Sequence, residues 1–231
     1  MRTDFLIGAS TLRRRLGGVR AVVVKGPGST PAPCPDLRDR FSGDRREPRV
    51  RDFTRVSTVE QVEIRRLDAA AAQENLEGLA GVLRDCIEGG ASVRYLAPFS
   101  VDQAREAFES VRADVERQRR VLLAAFLGGE VVGTVQIGLA QQPNSPHRGE
   151  IAQLLVRRSA RGRGVAQRLM ERAEQEALAE GKTLLVLDTV TGDDAERLYE
   201  RLGWTKVGVI PEYALYPDGR PCDTTIFYKA L

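Results

Sequence analysis

The sequence predicts an α/β (α+β) domain whose mixed central sheet is flanked by helices, and three observations carry that prediction. Around residues 149–188 an apolar run, a loop rich in glycine and arginine, an amphipathic stretch and a second apolar run follow one another, the order of a strand–helix–strand crossover. Before it, residues 121–127 and 131–139 read as two strands turned by Gly128-Gly129, a hairpin. Upstream of the hairpin, apolar residues recur at three and four, so helices as well as strands build the core.

Taken in order, the chain begins with a segment that does not look folded. Residues 1–60 hold 13 Lys+Arg against 7 Asp+Glu, an excess of six, whereas the remainder is net acidic by three. The segment contains Gly26-Pro27-Gly28-Ser29-Thr30-Pro31-Ala32-Pro33 and then an Arg/Asp mixture with little periodicity. We read residues 1–60 as a flexible basic extension, mostly disordered, with one short ordered piece at residues 16–24. Its early arginines faintly resemble a transit peptide, and basic charge can also attach to nucleic acid or an anionic membrane. Scattered arginines with interspersed acids more often form a solvated tail, including one that precedes a later true start of translation. The globular domain is expected over residues 61–231.

Residues 62–67 alternate as a half-buried first strand does. Leu76, Leu79, Ala80, Leu83, Cys86 and Ile87 then form one apolar helical stripe, ended by Gly89-Gly90. A loop through Tyr95, Leu96 and Pro98 leads to Ser100, a predicted N-cap, and a second helix to Val111 or beyond. The hairpin follows, then a loop at residues 141–146 rich in turn formers. The central strand is expected from Gly149 to Val156. After the glycine-arginine loop, Val165, Leu169, Ala173 and Ala177 give a long helix its buried side, and Gly181 closes it. Residues 183–188 are nearly all apolar, as in a parallel strand covered on both faces. Residues 193–202 read as a helix, and residues 205–209 with 224–230 close the sheet.

Composition narrows the function. A chain of 231 residues, 42% hydrophobic and 29% charged, fits one domain with a full core and something extra. No stretch approaches the roughly 18 apolar residues of a membrane-crossing helix. Cys34, Cys86 and Cys222 are odd in number and widely spaced, which suits a reduced, cytoplasmic setting. With one histidine and no clustered cysteines, no metal site is expected.

The chemistry centres on residues 156–170. Gly162 and Gly164 allow a ligand close to the main chain, Arg157, Arg158, Arg161 and Arg163 surround them, and a helix N-terminus follows. Unbonded N–H groups and about half a positive charge at a helix start suit a phosphate or pyrophosphate. A dinucleotide fingerprint is imitated by Gly162, Gly164 and Asp188, but Gln167 stands where the third glycine is needed. The same residues spell R-x-x-G-x-A as Arg161, Gly164 and Ala166.

That motif resembles the pyrophosphate loop of the GNAT acetyltransferases. Glu150-Ile151-Ala152-Gln153-Leu154-Leu155-Val156 is similar to the family's central strand, and Ala195, Leu198, Tyr199, Gly203 and Trp204 to its second signature, A-x-x-L-Y-x-x-x-G-[FW]. Within the family, the tabtoxin-resistance type is the most similar, through residues 147–150, 159–164, 187–189 and 217–220. The resemblance implies the GNAT acyl-CoA N-acyltransferase fold, with two splayed parallel strands. It implies acetyl-CoA as acyl donor, held by main-chain groups of Leu154, Leu155 and Val156 and by the loop Arg161, Gly162, Arg163, Gly164, Val165 and Ala166. It also implies a small-molecule amine as acceptor, attacked directly in a ternary complex, and leaves room for a homodimer; no membrane or nucleic-acid partner is implied.

Two side chains are candidates for catalysis. Glu150 lies on the central strand near the expected carbonyl, where a carboxylate can take a proton, through a water or directly, or attract the ammonium form of an amine with a pKa near 10. Its other reading is a strand-end carboxylate paired with the acceptor or a neighbouring arginine. Tyr199 can hydrogen-bond the departing thiolate, and its other reading is a buried aromatic beside Leu198 and Trp204. Asp188 and His147 are secondary candidates. Cys86 reads as core, and Cys222 lacks a partner base. Gly192 stands where many relatives have asparagine. The rival class is a non-catalytic acyl-CoA-binding sensor or regulatory module.

Overall fold

The computed structural model describes residues 61–231; the predicted tail 1–60, its piece at residues 16–24 and Cys34 lie outside the described residues. The elements are β1 (Glu63–Leu67), α1 (Ala69–Glu74), α2 (Leu76–Glu88), α3 (Val101–Glu116), β2 (Arg120–Leu127), β3 (Glu130–Leu139), β4 (Arg148–Val156), a 3-10 turn (Arg158–Ala160), α4 (Val165–Ala179), β5 (Leu184–Val190), α5 (Asp194–Arg201), β6 (Thr205–Leu215) and β7 (Pro221–Ala230). One seven-stranded sheet runs in the order β1-β2-β3-β4-β5-β7-β6. Every neighbouring pair is antiparallel except β4 and β5.

Period-two alternation on β2 divides the core into two layers. Val121, Leu123 and Ala125 pack with Val165, Leu169 and Ala173 of α4, while Leu122, Ala124 and Phe126 pack with Leu79 and Leu83 of α2 and Phe108 of α3. A strand buried on both faces reads as a continuous apolar run even in an antiparallel pair, which is how residues 121–127 read. Ser100 caps α3 as expected, in a reciprocal capping box with Gln103.

The sequence reading missed α1, a six-residue helix capped by Asp68, whose side chain accepts from Ala71 N at 2.8 Å. It also ended the strand before the last loop at Val209, whereas β6 continues to Leu215. The cause is Pro211. A proline has no N–H to donate and argues against a central strand, but β6 is the edge of the sheet and Pro211 falls in its unpaired stretch between Ile210 and Ala214. The register shifts between Ile210 and Ala214 take up the irregularity.

The feature that positions the site is a fork. β4 and β5 pair only at Arg148↔Leu184, Gly149↔Leu185 and Glu150↔Val186. Beyond Glu150, β4 stays with β3 as far as Val156, and β5 stays with β7 as far as Val190. The two parallel strands therefore separate, each held by its antiparallel neighbour. Among the described residues, no helix is long and apolar enough to cross a membrane.

Candidate active site at the strand fork

A cleft of about 510 Å³ fills the fork. One wall is β4 from Ile151 to Val156; the other is Asp188 to Val190 of β5 with Ala195, Leu198 and Tyr199 of α5. The loop after β4 closes one end, and Ser92, Val93 and Arg94 lie over it from the α2–α3 connection. From Ile151 to Val156 the β4 wall spans about 17 Å at ordinary strand rise.

The β4 wall is bent by a bulge. Its register against β3 shifts between Thr134 and Gln136, and Gln153 there adopts φ +48°. A side-chain relay holds the distortion: the Gln153 Oε1 accepts from Gln136 Nε2 at 2.6 Å, and Gln136 Oε1 accepts from Arg120 Nη1 at 2.8 Å. A bulge leaves main-chain groups out of the ladder and re-aims them. Here they lie beside the cleft.

The loop at the closed end is built to receive an anion. Gly162 and Gly164 have φ of +75° and +74°, and a Cβ on either would meet open space. Their bareness therefore serves conformation and close approach, not packing. Gly164 is the N-cap of α4 and supplies no side-chain cap, so the first-turn N–H groups, Val165 to Gln167, have no carbonyl behind them. The turn before the glycines is tied to α2. Arg158 donates from its backbone N to Asp85 Oδ2 at 2.7 Å and from Nε to Oδ1 at 3.0 Å. Burial works to raise the Asp85 pKa, but those two hydrogen bonds and the arginine charges outweigh it and hold the carboxyl below its usual range. Arg161 donates from Nε to Val156 O at 3.3 Å. All the cofactor residues named from sequence line the cleft except Arg163, which is exposed outside it.

Tyr199 is 5% exposed and lines the cleft from α5. Its ring packs against Trp204 and Phe227, with centroids 6.0 and 5.9 Å away. Trp204 is fixed in turn by Nε1 donating to Glu174 Oε1 at 3.1 Å. Burial, with the charges of Asp188 and Asp193 adding to it, pushes the tyrosine pKa far above its ordinary value. The hydroxyl is thus held protonated, a persistent hydrogen-bond donor. Just before α5, the Gly192 N–H donates to the Glu196 carboxylate, which also accepts from Lys206 Nζ at 2.7 Å.

Glu150 occupies the last paired position before the strands part. It stands at the rim of the cleft rather than among its lining residues, and Arg94 Nη2 reaches its Oε1 at 3.3 Å. Asp188 is exposed and faces the cleft from β5. His147 is not in the cleft; its carbonyl accepts from Thr183 N and Leu184 N, a structural role at the base of the fork. Cys86 lines the cleft but is buried, with burial raising its thiol pKa against the opposing charge of Arg161. Cys222 is buried and donates to Ser92 Oγ at 3.7 Å. Among the described residues, no three metal-ligating side chains come together.

Sequence reasoning missed Arg94. Nothing in the spacing ties it to Glu150, which lies 56 positions away.

Comparison with known proteins bears on the fold that holds this cleft. Residues 92–204, just under half of the chain, match the model of the acetyltransferase (GNAT) family. An N-acetyltransferase from Staphylococcus aureus Mu50 superposes with a TM-score of 0.62 at 22% identity, covering 74% of this chain and 98% of that one. A ribosomal-protein-alanine N-acetyltransferase from Brucella melitensis gives 0.61 at 22%, covering 73% and 99%. A candidate acetyltransferase from Salmonella typhimurium, solved with acetyl-CoA, gives 0.60 at 20%, covering 74% and 94%. At these identities the likeness is one of fold, and it does not reach the tabtoxin-resistance type.

Proposed function

We propose, from the GNAT family that the family model and the solved folds support for this chain, that residues 61–231 form an acetyl-CoA-dependent N-acetyltransferase acting on the primary amine of a small molecule. The observation that carries this reading is the fork: a long cleft, flanked by unpaired strand edges, that ends in a loop with two left-handed glycines and a bare helix N-terminus. A cleft of this shape fits an extended acyl-CoA. Its pyrophosphate would meet the N–H groups around Gly162, Gly164, Val165 and Ala166, with Arg161 and Arg163 adding positive charge. Its pantetheine amides would bond main-chain groups of Leu154, Leu155 and Val156, and the thioester would lie toward Glu150.

In the reaction the amine nitrogen attacks the thioester carbonyl, forming the C–N bond and a tetrahedral oxyanion, and the C–S bond then breaks. A main-chain N–H freed by the bulge near Leu155 would stabilise that oxyanion. The proton lost by the amine goes to Glu150 or to a water that Glu150 holds, and the thiolate accepts a hydrogen bond from the Tyr199 hydroxyl. Because this hydroxyl holds its proton so firmly, its contribution is hydrogen bonding, with solvent completing the protonation of the thiol.

The test is calorimetric binding of acetyl-CoA and of desulfo-CoA to the purified protein, with thiol release measured against a panel of small amines. Micromolar binding with thiol release on one amine class is the expected result. Binding without release from any amine would instead favour a sensor, and no binding would overturn the assignment of the loop.

A further inference from the structure

α5 is eight residues long, and a helix that short has too few hydrogen bonds of its own to hold its place. Its position on the sheet comes from what its inner face meets. Glu196 and Tyr199 lie one turn apart on that face, and both meet β7: Tyr199 rests on Phe227, and Glu196 on Thr225. Thr225 and Phe227 are two positions apart on one strand, so they share a face. The two seats differ in kind. Aromatic rings pack favourably over a range of centroid distances, about 4.5 to 7 Å, so the Tyr199 ring tolerates sliding and tilting.

The seat of Glu196 tolerates neither. Its side chain is buried, and its Oε1 accepts from Lys206 Nζ of β6 at 2.7 Å and from Thr225 Oγ1 of β7 at 3.2 Å. Its Oε2 accepts from Gly192 N in the turn that leaves β5, and Thr225 Oγ1 lies 2.8 Å from Thr191 Oγ1 of the same turn. One carboxylate thus ties α5 to the exit of β5, to β6 and to β7, through bonds with narrow limits on length and direction. Lys206 and the Gly192 N–H hold the carboxyl below its usual range against the effect of burial. Glu196, Lys206, Thr225 and Gly192 all lie outside the cleft, whereas Asp193, Ala195, Leu198 and Tyr199 of the segment they hold line it. A buried ion pair is poor evidence of added stability, since apolar residues of the same volume often do as well. What hydrogen-bonded charge supplies here is direction.

We propose that Glu196 is a positioning residue for the transfer step: its carboxylate fixes the height and tilt of α5 on the sheet, and thereby the reach of the Tyr199 hydroxyl to the departing sulfur. This rests on the N-acetyltransferase reading above and on the hydrogen bond that reading gives Tyr199. A hydroxyl displaced by about 1 Å forfeits most of such a bond, and misplacement on that scale can cost about a hundredfold in rate.

The experiment uses the full chain, acetyl-CoA and the amine that gives the fastest thiol release. Glu196→Gln keeps the volume but turns one accepting oxygen into an NH2 group. It is expected to lower kcat about tenfold, with KM for acetyl-CoA and for the amine changed by less than about threefold. Lys206→Gln loosens the clamp from a position that touches no ligand and should lower kcat by about threefold. The deciding step is a cycle with Tyr199→Phe. Once the hydroxyl is gone its position no longer matters, so adding Glu196→Gln to Tyr199→Phe should lower kcat by less than about twofold, while the urea midpoint falls equally in both backgrounds. An undiminished tenfold loss in the Tyr199→Phe background, an unchanged kcat in Glu196→Gln, or an effect on KM alone would overturn the proposal. If Glu196→Gln does not fold, Lys206→Gln carries the same cycle. If acetyl-CoA binds but no amine turns over, the thiol pKa of bound coenzyme A is read by ultraviolet absorbance against the desulfo-CoA complex. Wild type should then lie about one unit below Tyr199→Phe, with Glu196→Gln close to the latter; a Glu196→Gln value equal to wild type overturns the proposal. Failure of the parent reading looks different: acetyl-CoA itself does not bind, and the proposal falls with it.

Discussion

The two halves of the cleft are made of different material. The half running from the bulge of β4 to the start of α4 is mostly main chain: strand edges released by the fork, two left-handed glycines and an uncapped helix N-terminus. The half toward Glu150 is mostly side chain, with Arg94 and Ser92 from the α2–α3 connection and Asp188 from β5. Under the proposed function, main-chain donors would recognise what every acyl-CoA shares, and so need few particular residues. Side chains on separate elements would recognise what differs between acceptors. The first half should therefore respond to mutation through cofactor affinity and the second through turnover and acceptor KM.

Tyr199, on the α5 wall of the cleft, should show the largest effect. Tyr199→Phe is expected to lower kcat by about a hundredfold or more while acetyl-CoA affinity stays nearly constant, since the ring still packs on Trp204 and Phe227. Equal turnover in single-turnover thiol release would remove the hydroxyl from the mechanism. Its raised pKa adds a sign. The folded state disfavours the phenolate, so stability falls once pH exceeds about 10, where an unfolded tyrosine ionises. Tyr199→Phe should lose that alkaline destabilisation, measurable as urea midpoints at pH 9 and 11. Glu150→Gln belongs to the acceptor half. It should reduce kcat/KM for the amine by about ten- to a hundredfold; a change confined to KM would assign Glu150 to binding alone, and a change in acetyl-CoA affinity would break the division between halves.

That division also sets what could be read from the sequence. The cofactor half is contiguous: strand, glycine loop and helix fall within residues 149–179, and positive φ and a helix start have local signatures in Gly162, Gly164 and the periodicity after Val165. The fold was legible for a similar reason, because α2 and α4 carry a helical period and β2 and β3 are apolar runs turned by Gly128-Gly129. What escaped is non-local. The bulge at Gln153 depends on Gln136 and Arg120 of other strands, and Arg94 meets Glu150 only after the sheet has formed. β6 was cut short because Pro211 carries no local mark of lying on an edge. The short helix α1 consists of alanines and polar residues, so it has no apolar stripe to announce it.

Gly164→Val probes the main-chain half directly. A Cβ there would meet open space, so a loss comes from the backbone at φ +74° or from a side chain standing where the ligand would approach. A branched residue disfavours that conformation by about 1–2 kcal/mol or more, and relaxing it turns the first N–H groups of α4 away from the ligand. Acetyl-CoA should bind about tenfold more weakly, with the amine KM little changed. Unchanged affinity in the calorimeter would sink the loop assignment.

The smallest effect is expected one step behind the loop, at Asp85. Its carboxylate takes both the backbone and the guanidinium of Arg158, fixing the turn that leads into Gly162. Asp85→Asn keeps the shape but weakens two charge-assisted hydrogen bonds, and with Arg158 half exposed the cost is moderated by solvent. A rise of about threefold in the KM for acetyl-CoA, with kcat unchanged, fits a group that positions the loop without touching the ligand. The pH dependence separates this from a general loss of fold. Because the folded carboxyl pKa is depressed, the stability it contributes is present above the unfolded value near 3.9 and is lost as pH falls through the folded one. Wild type should therefore exceed Asp85→Asn in urea stability by a constant margin from pH 8 down to about 5, and the margin should narrow as pH falls below about 4. A margin that does not narrow there would mean that the anchor works by packing, leaving the glycines and the helix start to hold the loop without it.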